Sequence, residues 1–113
     1  MKQNEILILW TTGDKDIATK MVLMYSLNAK INEWWNEIIL LVWGSSAKLV
    51  AEDKEIQQEL EEMMEIGIKV RACKECSDRL NVTTELEGVG IEVTHTGKFL
   101  TDWLKSGKNI LTI

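Results

Sequence analysis

The stretch "IKVRACKECSDRL", Ile68–Leu80, decides the fold. A short β-like run, Ile68–Ala72, leads directly into Cys73 and Cys76, the only two cysteines of the chain, and these open a helix-like segment. Lys74 to Leu80 reads as a short helix that Asn81 can end in a left-handed conformation. A strand feeding a helix without a long loop is half of a βαβ unit, so the question passes to what flanks it. Upstream, Asp53 to Ile66 is the clearest helix: Ile56, Leu60, Met63 and Met64 fall on one face and acids fill the other. Gly67 stands at its left-handed stop position.

The same alternation runs through the whole chain. "EILILW", Glu5–Trp10, and "IILLVW", Ile38–Trp43, are compact apolar runs of strand length, as in strands buried on both faces. Between them Asp16 to Lys30 reads as a helix, with "TTGD" offering Thr12 or Asp14 as its cap. Its apolar face is Ile17, Met21, Met24 and Leu27, broadened by Ala18, Val22 and Tyr25. "INEWWNE" reads as a turn. "TTELEG" reads as a short helical turn capped by Thr83 or Thr84, and "VGIEVTH" as the fourth strand. Phe99, Leu100, Trp103 and Leu104 mark a helix stopped by Gly107, and "NILTI" is the last strand. This pattern predicts an α/β fold, a mainly parallel sheet with helices on both faces, in a single domain spanning 1–113. Right-handed crossovers then gather the loops after Trp10, Trp43, Ala72, His95 and Ile113 at one edge, where such folds bind ligands.

Composition narrows the function. The chain has 113 residues, 45% of them hydrophobic, which suits one ordinary globular core. Its formal net charge of -5, with lysine and arginine scattered among more numerous acids, argues against nucleic acid and against an anionic membrane surface. No apolar run approaches the ~20 residues that span a bilayer. "MKQNEILILW" has no small-residue cleavage site and reads as a first strand, which points to the cytoplasm. There, a close cysteine pair is more often redox-active, catalytic or metal-binding than a structural disulfide.

Cys73 falls at a strand-to-helix junction on the ligand-binding edge, beside the unpaired N–H groups of a helix start. A partial positive charge there favours thiolate, the form that attacks disulfides, accepts sulfane sulfur or binds soft metals. Cys76, one turn later, shares its face and is within disulfide reach. The competing reading is two small apolar side chains packed between helix and sheet. Zinc needs four ligands, and the chain has two cysteines and one histidine; no metal site is expected. "WGSSAK", Trp43–Lys48, is the second candidate. Gly44 permits a tight turn, Ser45 or Ser46 can cap the next helix, and the N–H groups can hold an anion. It lacks the spacing of a Walker loop or a dinucleotide fingerprint, and a plain βα turn explains it as well. His95, the only histidine, ends the fourth strand and can shuttle protons, or simply sit at the surface. Adjacent Trp34 and Trp35 point to opposite sides if extended, leaving one for an interface or for the core. The glutamates at 52, 55, 59, 61, 62 and 65 read as a solvated face.

Taken together, the strand ending "WGSSAK", a helix, "GIKVRACKECSDRLNV", "GIEV" and a final helix beginning "KFLTDWLKSG" resemble the DsrE/DsrF-like family. These are small sulfur-relay and sulfur-oxidation proteins, and the likeness is to the short stand-alone branch. The resemblance covers nearly the whole chain. It implies a three-layer α/β/α sandwich with a five-stranded sheet, assembled as a homo-oligomer or mixed oligomer. It implies a sulfur-accepting cysteine at Cys73, no metal or organic cofactor, and sulfur donor and acceptor proteins or small sulfane-sulfur compounds as partners. The chain departs from the relay subunits in being short, in carrying Cys76, and in having Asn81 where glycine is expected.

Three functions therefore compete. In the first, Cys73 carries a persulfide, Cys76 assists or resolves it, and Gly44, Ser45, Ser46 and His95 contact the bound group. The second is thioredoxin-type dithiol–disulfide exchange, which the absence of any proline to flank the pair disfavours. The third is a non-catalytic oligomeric subunit with packed cysteines.

Overall fold

The computed structural model describes residues 4–113. Residues 1–3 of the N-terminal run lie outside the described residues; the rest of that run forms strand β1 as expected. The sheet comprises β1 (Glu5–Trp10), β2 (Glu37–Val42), β3 (Lys69–Cys73), β4 (Glu92–Thr94) and β5 (Asn109–Thr112). Their spatial order is β4-β3-β2-β1-β5, and every neighbouring pair is parallel. The fold is thus α/β with a five-stranded, wholly parallel sheet.

Seven of the helical segments follow β1, β2 and β3. The first connection is continuous: α1 (Lys15–Ile17), a π-helical stretch (Ala18–Leu23) and α2 (Met24–Ile31). α3 (Ser45–Glu52) and α4 (Lys54–Glu65) join β2 to β3; α5 (Lys74–Arg79) and α6 (Thr83–Val89) join β3 to β4. The lone helix α7 (Gly97–Ser106) returns from β4 to β5 at the other end of the sheet. Because the sheet is traversed one way and then crossed back, the two faces receive different helices. Side chains alternate along each strand, so the faces separate by parity. Ile6, Ile8, Trp10, Ile38, Leu40, Val42, Val70 and Ala72 meet Ala18, Val22, Val50, Ile56, Leu60 and Leu86 in the larger core. Leu7, Ile39 and Leu41 meet Trp103, with Phe99, Leu100 and Ile110 against them.

The first long helix differs from its predicted face. Ala18, Val22 and Tyr25 pack on the core, with Leu23 and Ala29, but Ile17, Met21, Met24 and Leu27 remain exposed. The π-helical stretch adds a residue to the turn and re-phases the helix, so a 3.6-residue period misplaces the inward stripe. Small side chains then let the helix lie close to the sheet. Asp14 caps this helix, its carboxylate accepting the Ile17 N–H at 2.9 Å. The clear helix of the sequence is α4, capped by Asp53, which accepts the Ile56 N–H at 3.0 Å. The glutamates at 55, 59, 61, 62 and 65 in α4, and Glu52 at the end of α3, are exposed, as expected.

Other terminators fall where expected. Asn81 takes φ 59 and Gly67 φ 103, both left-handed, and Gly107 ends α7. The cap of α6 is Val82, not Thr83 or Thr84. The Thr83 hydroxyl instead donates to Asp78 and lies 2.8 Å from that of Ser77, tying α6 to α5. Trp34 is 56% exposed, while Trp35 is half-buried with its indole N–H donated to Tyr25 at 2.9 Å.

Candidate functional site

The C-terminal ends of β1, β2, β3 and β4 share one edge, and the register brings Trp10 beside Val42, Val42 beside Ala72, and Cys73 beside Thr94. Ser46 fastens this edge. It is fully buried, and its hydroxyl donates to the Trp10 carbonyl at 2.6 Å while accepting the Trp43 N–H at 3.0 Å. Neither Ser45 nor Ser46 caps α3, contrary to the sequence reading. The cap position belongs to Gly44, with no side-chain hydrogen bond to the helix. Gly44 has φ 73 and ψ -132, a conformation essentially reserved for glycine. The loop after β1 presses against the same turn: a Cβ on Gly13 would come within 3.1 Å of the Ser45 Cβ. Replacing Ser46 by alanine removes both bonds and leaves polar groups buried, so Ser46→Ala should lower stability by about 1–3 kcal/mol in urea unfolding. A loss near zero would mean the two loops are held by something else.

Cys73 is the last residue of β3 and the cap residue of α5, so it belongs to both elements. By parity it lies on the α7 side of the sheet. It is only 6% exposed and, contrary to expectation, accepts no N–H from the start of α5. The Gly44 backbone lies instead against Cys76, in the hollow both line. The Cys73 and Cys76 side chains are neighbours. Both are free. Burial pushes the Cys76 thiol up, the neighbouring Cys73 adds to this, and the Gly44 backbone opposes it. Cys76 is therefore a thiol that keeps its proton near neutrality.

The two cysteines open into different hollows. Cys73 lines a cavity of about 90 Å³ with Trp43, Glu75, His95, Thr96 and Gly97. Cys76 lines a separate surface hollow with Gly44, Ser45, Lys48, Arg79 and Leu80. The structure thus brings Cys73, Cys76 and His95 to one edge, places Gly44 against Cys76, and buries Ser46 as a structural fastener. His95 is exposed. The sequence reading missed Thr96. A threonine just before "GKF" has the form of a helix cap, but nothing in the sequence marks its surroundings.

The model of the DsrE/DsrF-like family matches residues 5–113. Among solved structures, a conserved protein of unknown function from Bacteroides thetaiotaomicron, BT1422, is 42% identical with a TM-score of 0.94, covering 97% of this chain and 95% of its own. YchN from E. coli is 18% identical with a TM-score of 0.72, over 98% and 99% of the two chains. MTH1491 of Methanobacterium thermoautotrophicum, also of unknown function, is 13% identical with a TM-score of 0.77, over 98% and 99%. At that identity the last two speak for the fold alone. No match is found among curated proteins.

Proposed function

The chain belongs to the DsrE/DsrF-like family, whose sulfur-relay character is the premise from which we propose that it carries sulfane sulfur as a persulfide on Cys73. The observation that supports this most is the pairing at the sheet edge. Cys73 lines a small cavity, and its neighbour Cys76 is held protonated by burial and by its proximity to Cys73. A thiol that keeps its proton is a poor nucleophile. Cys76 therefore assists as a hydrogen-bond donor instead of attacking the persulfide, and the carried sulfur survives until an acceptor takes it.

The loading step balances simply. The Cys73 thiolate attacks the outer sulfur of a donor persulfide, R–S–SH. The donor S–S bond breaks, its electron pair leaves on the donor thiolate, and a new S–S bond forms at Cys73. Passing the outer sulfur to an acceptor thiolate reverses the roles. Among the described residues no helix is long and apolar enough to cross a membrane. A cytoplasmic location, homo-oligomeric assembly, and donor and acceptor proteins belong to this proposal.

Incubation with glutathione persulfide followed by intact mass tests the reading. It expects one added sulfur per chain. Loss of two hydrogens without added sulfur would favour dithiol–disulfide exchange, and no change at all would favour packed, inert thiols. Cys76→Ser keeps a donor hydrogen and should load within about threefold of the parent, whereas Cys76→Ala should fall about tenfold. Equal loading by both variants would remove Cys76 from the mechanism.

A further inference from the structure

We propose that Thr96 and the first turn of α7 form the receptacle for the outer, anionic sulfur of the Cys73 persulfide; this rests on the persulfide reading above. Three observations converge. Thr96 lines the same cavity as Cys73. It is 1% exposed, yet its hydroxyl has no hydrogen-bond partner among the described residues. It is also the cap residue of α7, a helix of 10 residues, and does not use that hydroxyl to cap it.

A buried hydroxyl without a partner is unfavourable, and native structures rarely keep one that has no role. Its neighbours do not satisfy it. Trp43, Glu75 and His95 line the cavity, and none is hydrogen-bonded to it. The first N–H groups of α7 are orphaned as those of any helix are, since the first intrahelical bond runs from Leu100 N–H to the Thr96 carbonyl. Gly97 brings this turn to the cavity wall. Thr96, with its unfilled O–H donor, and the start of α7 thus line the same cavity of about 90 Å³ as Cys73. That space suits a small group such as a terminal sulfur.

The group the chemistry puts there is the outer sulfur itself. When Cys73 takes sulfur from glutathione persulfide, the donor S–S bond breaks and glutathione leaves as thiolate. The new Cys73–S–SH then releases its outer proton to water, giving Cys73–S–S⁻. The negative charge lies one bond beyond the Cys73 sulfur, where the Thr96 hydroxyl and the α7 N–H groups can receive it. Thr96 is therefore a binding residue of the loaded state and is idle in the unloaded one. The exposed Glu75 opposes the anion.

Loading equilibria of wild type, Thr96→Val and Thr96→Ser, measured by intact mass in defined mixtures of glutathione and glutathione persulfide, decide the matter. Valine keeps the shape and removes the hydroxyl. The expected result is an equilibrium constant for loading about tenfold lower in Thr96→Val, and within about threefold of wild type in Thr96→Ser. The unloaded Thr96→Val protein should melt at or above the wild-type temperature, since it loses an unsatisfied group and no bond. Wild-type loading by Thr96→Val would overturn the receptacle and leave the persulfide reading standing. Loss of loading in both variants, or in step with a lowered melting temperature, would also overturn it, because the hydroxyl would then be structural. Wild type that takes up no sulfur would end both readings.

Discussion

Cys73→Ser is expected to reduce sulfur transfer from glutathione persulfide to an acceptor thiol by about a thousandfold or more, to the rate of the uncatalysed exchange. A serine hydroxyl is a far weaker nucleophile toward sulfur and holds no sulfane atom. The fold should tolerate the change, because Cys73 makes no capping bond to α5 and serine is itself a good cap residue. Far-UV dichroism and melting close to wild type, together with abolished transfer, would place the loss in chemistry. Retained transfer would move the carrier role to Cys76, against the direction in which burial and the Cys73 contact push that thiol. The control is informative because the two cysteines line different hollows, so a donor that reaches one does not automatically reach the other.

The second large effect is on stability. Trp10→Ala should cost about 3–5 kcal/mol, read as a lower urea midpoint at unchanged slope. Trp10 is fully buried at the end of β1, among the largest enclosed side chains of the protein. Its indole N–H donates to the Thr12 carbonyl at 3.1 Å, and its own carbonyl receives both the Trp43 N–H and the Ser46 hydroxyl. The side chain fills the core directly beneath the edge that carries the cysteines. Its removal should therefore loosen the β1 and β2 loops as well as the core. A cost under about 1 kcal/mol would mean that neighbouring side chains close the space, and the rigid edge described above would need revision.

Much of this architecture was legible in the residues. "EILILW" and "IILLVW" are apolar on both parities, and both faces of β1 and β2 are indeed covered, one by α1 to α6 and the other by α7. The strand–Cys73–helix junction lies at the shared edge as read. What was not legible has physical causes. A helical period cannot announce a π-helical stretch, so Met21 and Met24 were assigned inward and lie outward. Which cysteine meets the Gly44 turn is a long-range contact with no local signature, and the turn lies against Cys76. Thr96 escaped because an unsatisfied hydroxyl is a property of three-dimensional neighbours: the residue looks like any cap threonine until its surroundings are enumerated.

The most direct test of the central claim is tandem mass spectrometry of the peptide bearing both cysteines, isolated after wild-type protein has been loaded with glutathione persulfide and its thiols alkylated. The account predicts the additional sulfur on Cys73, with Cys76 alkylated as an unmodified thiol. Sulfur found on Cys76, or a Cys73–Cys76 disulfide with no added sulfur, would contradict it.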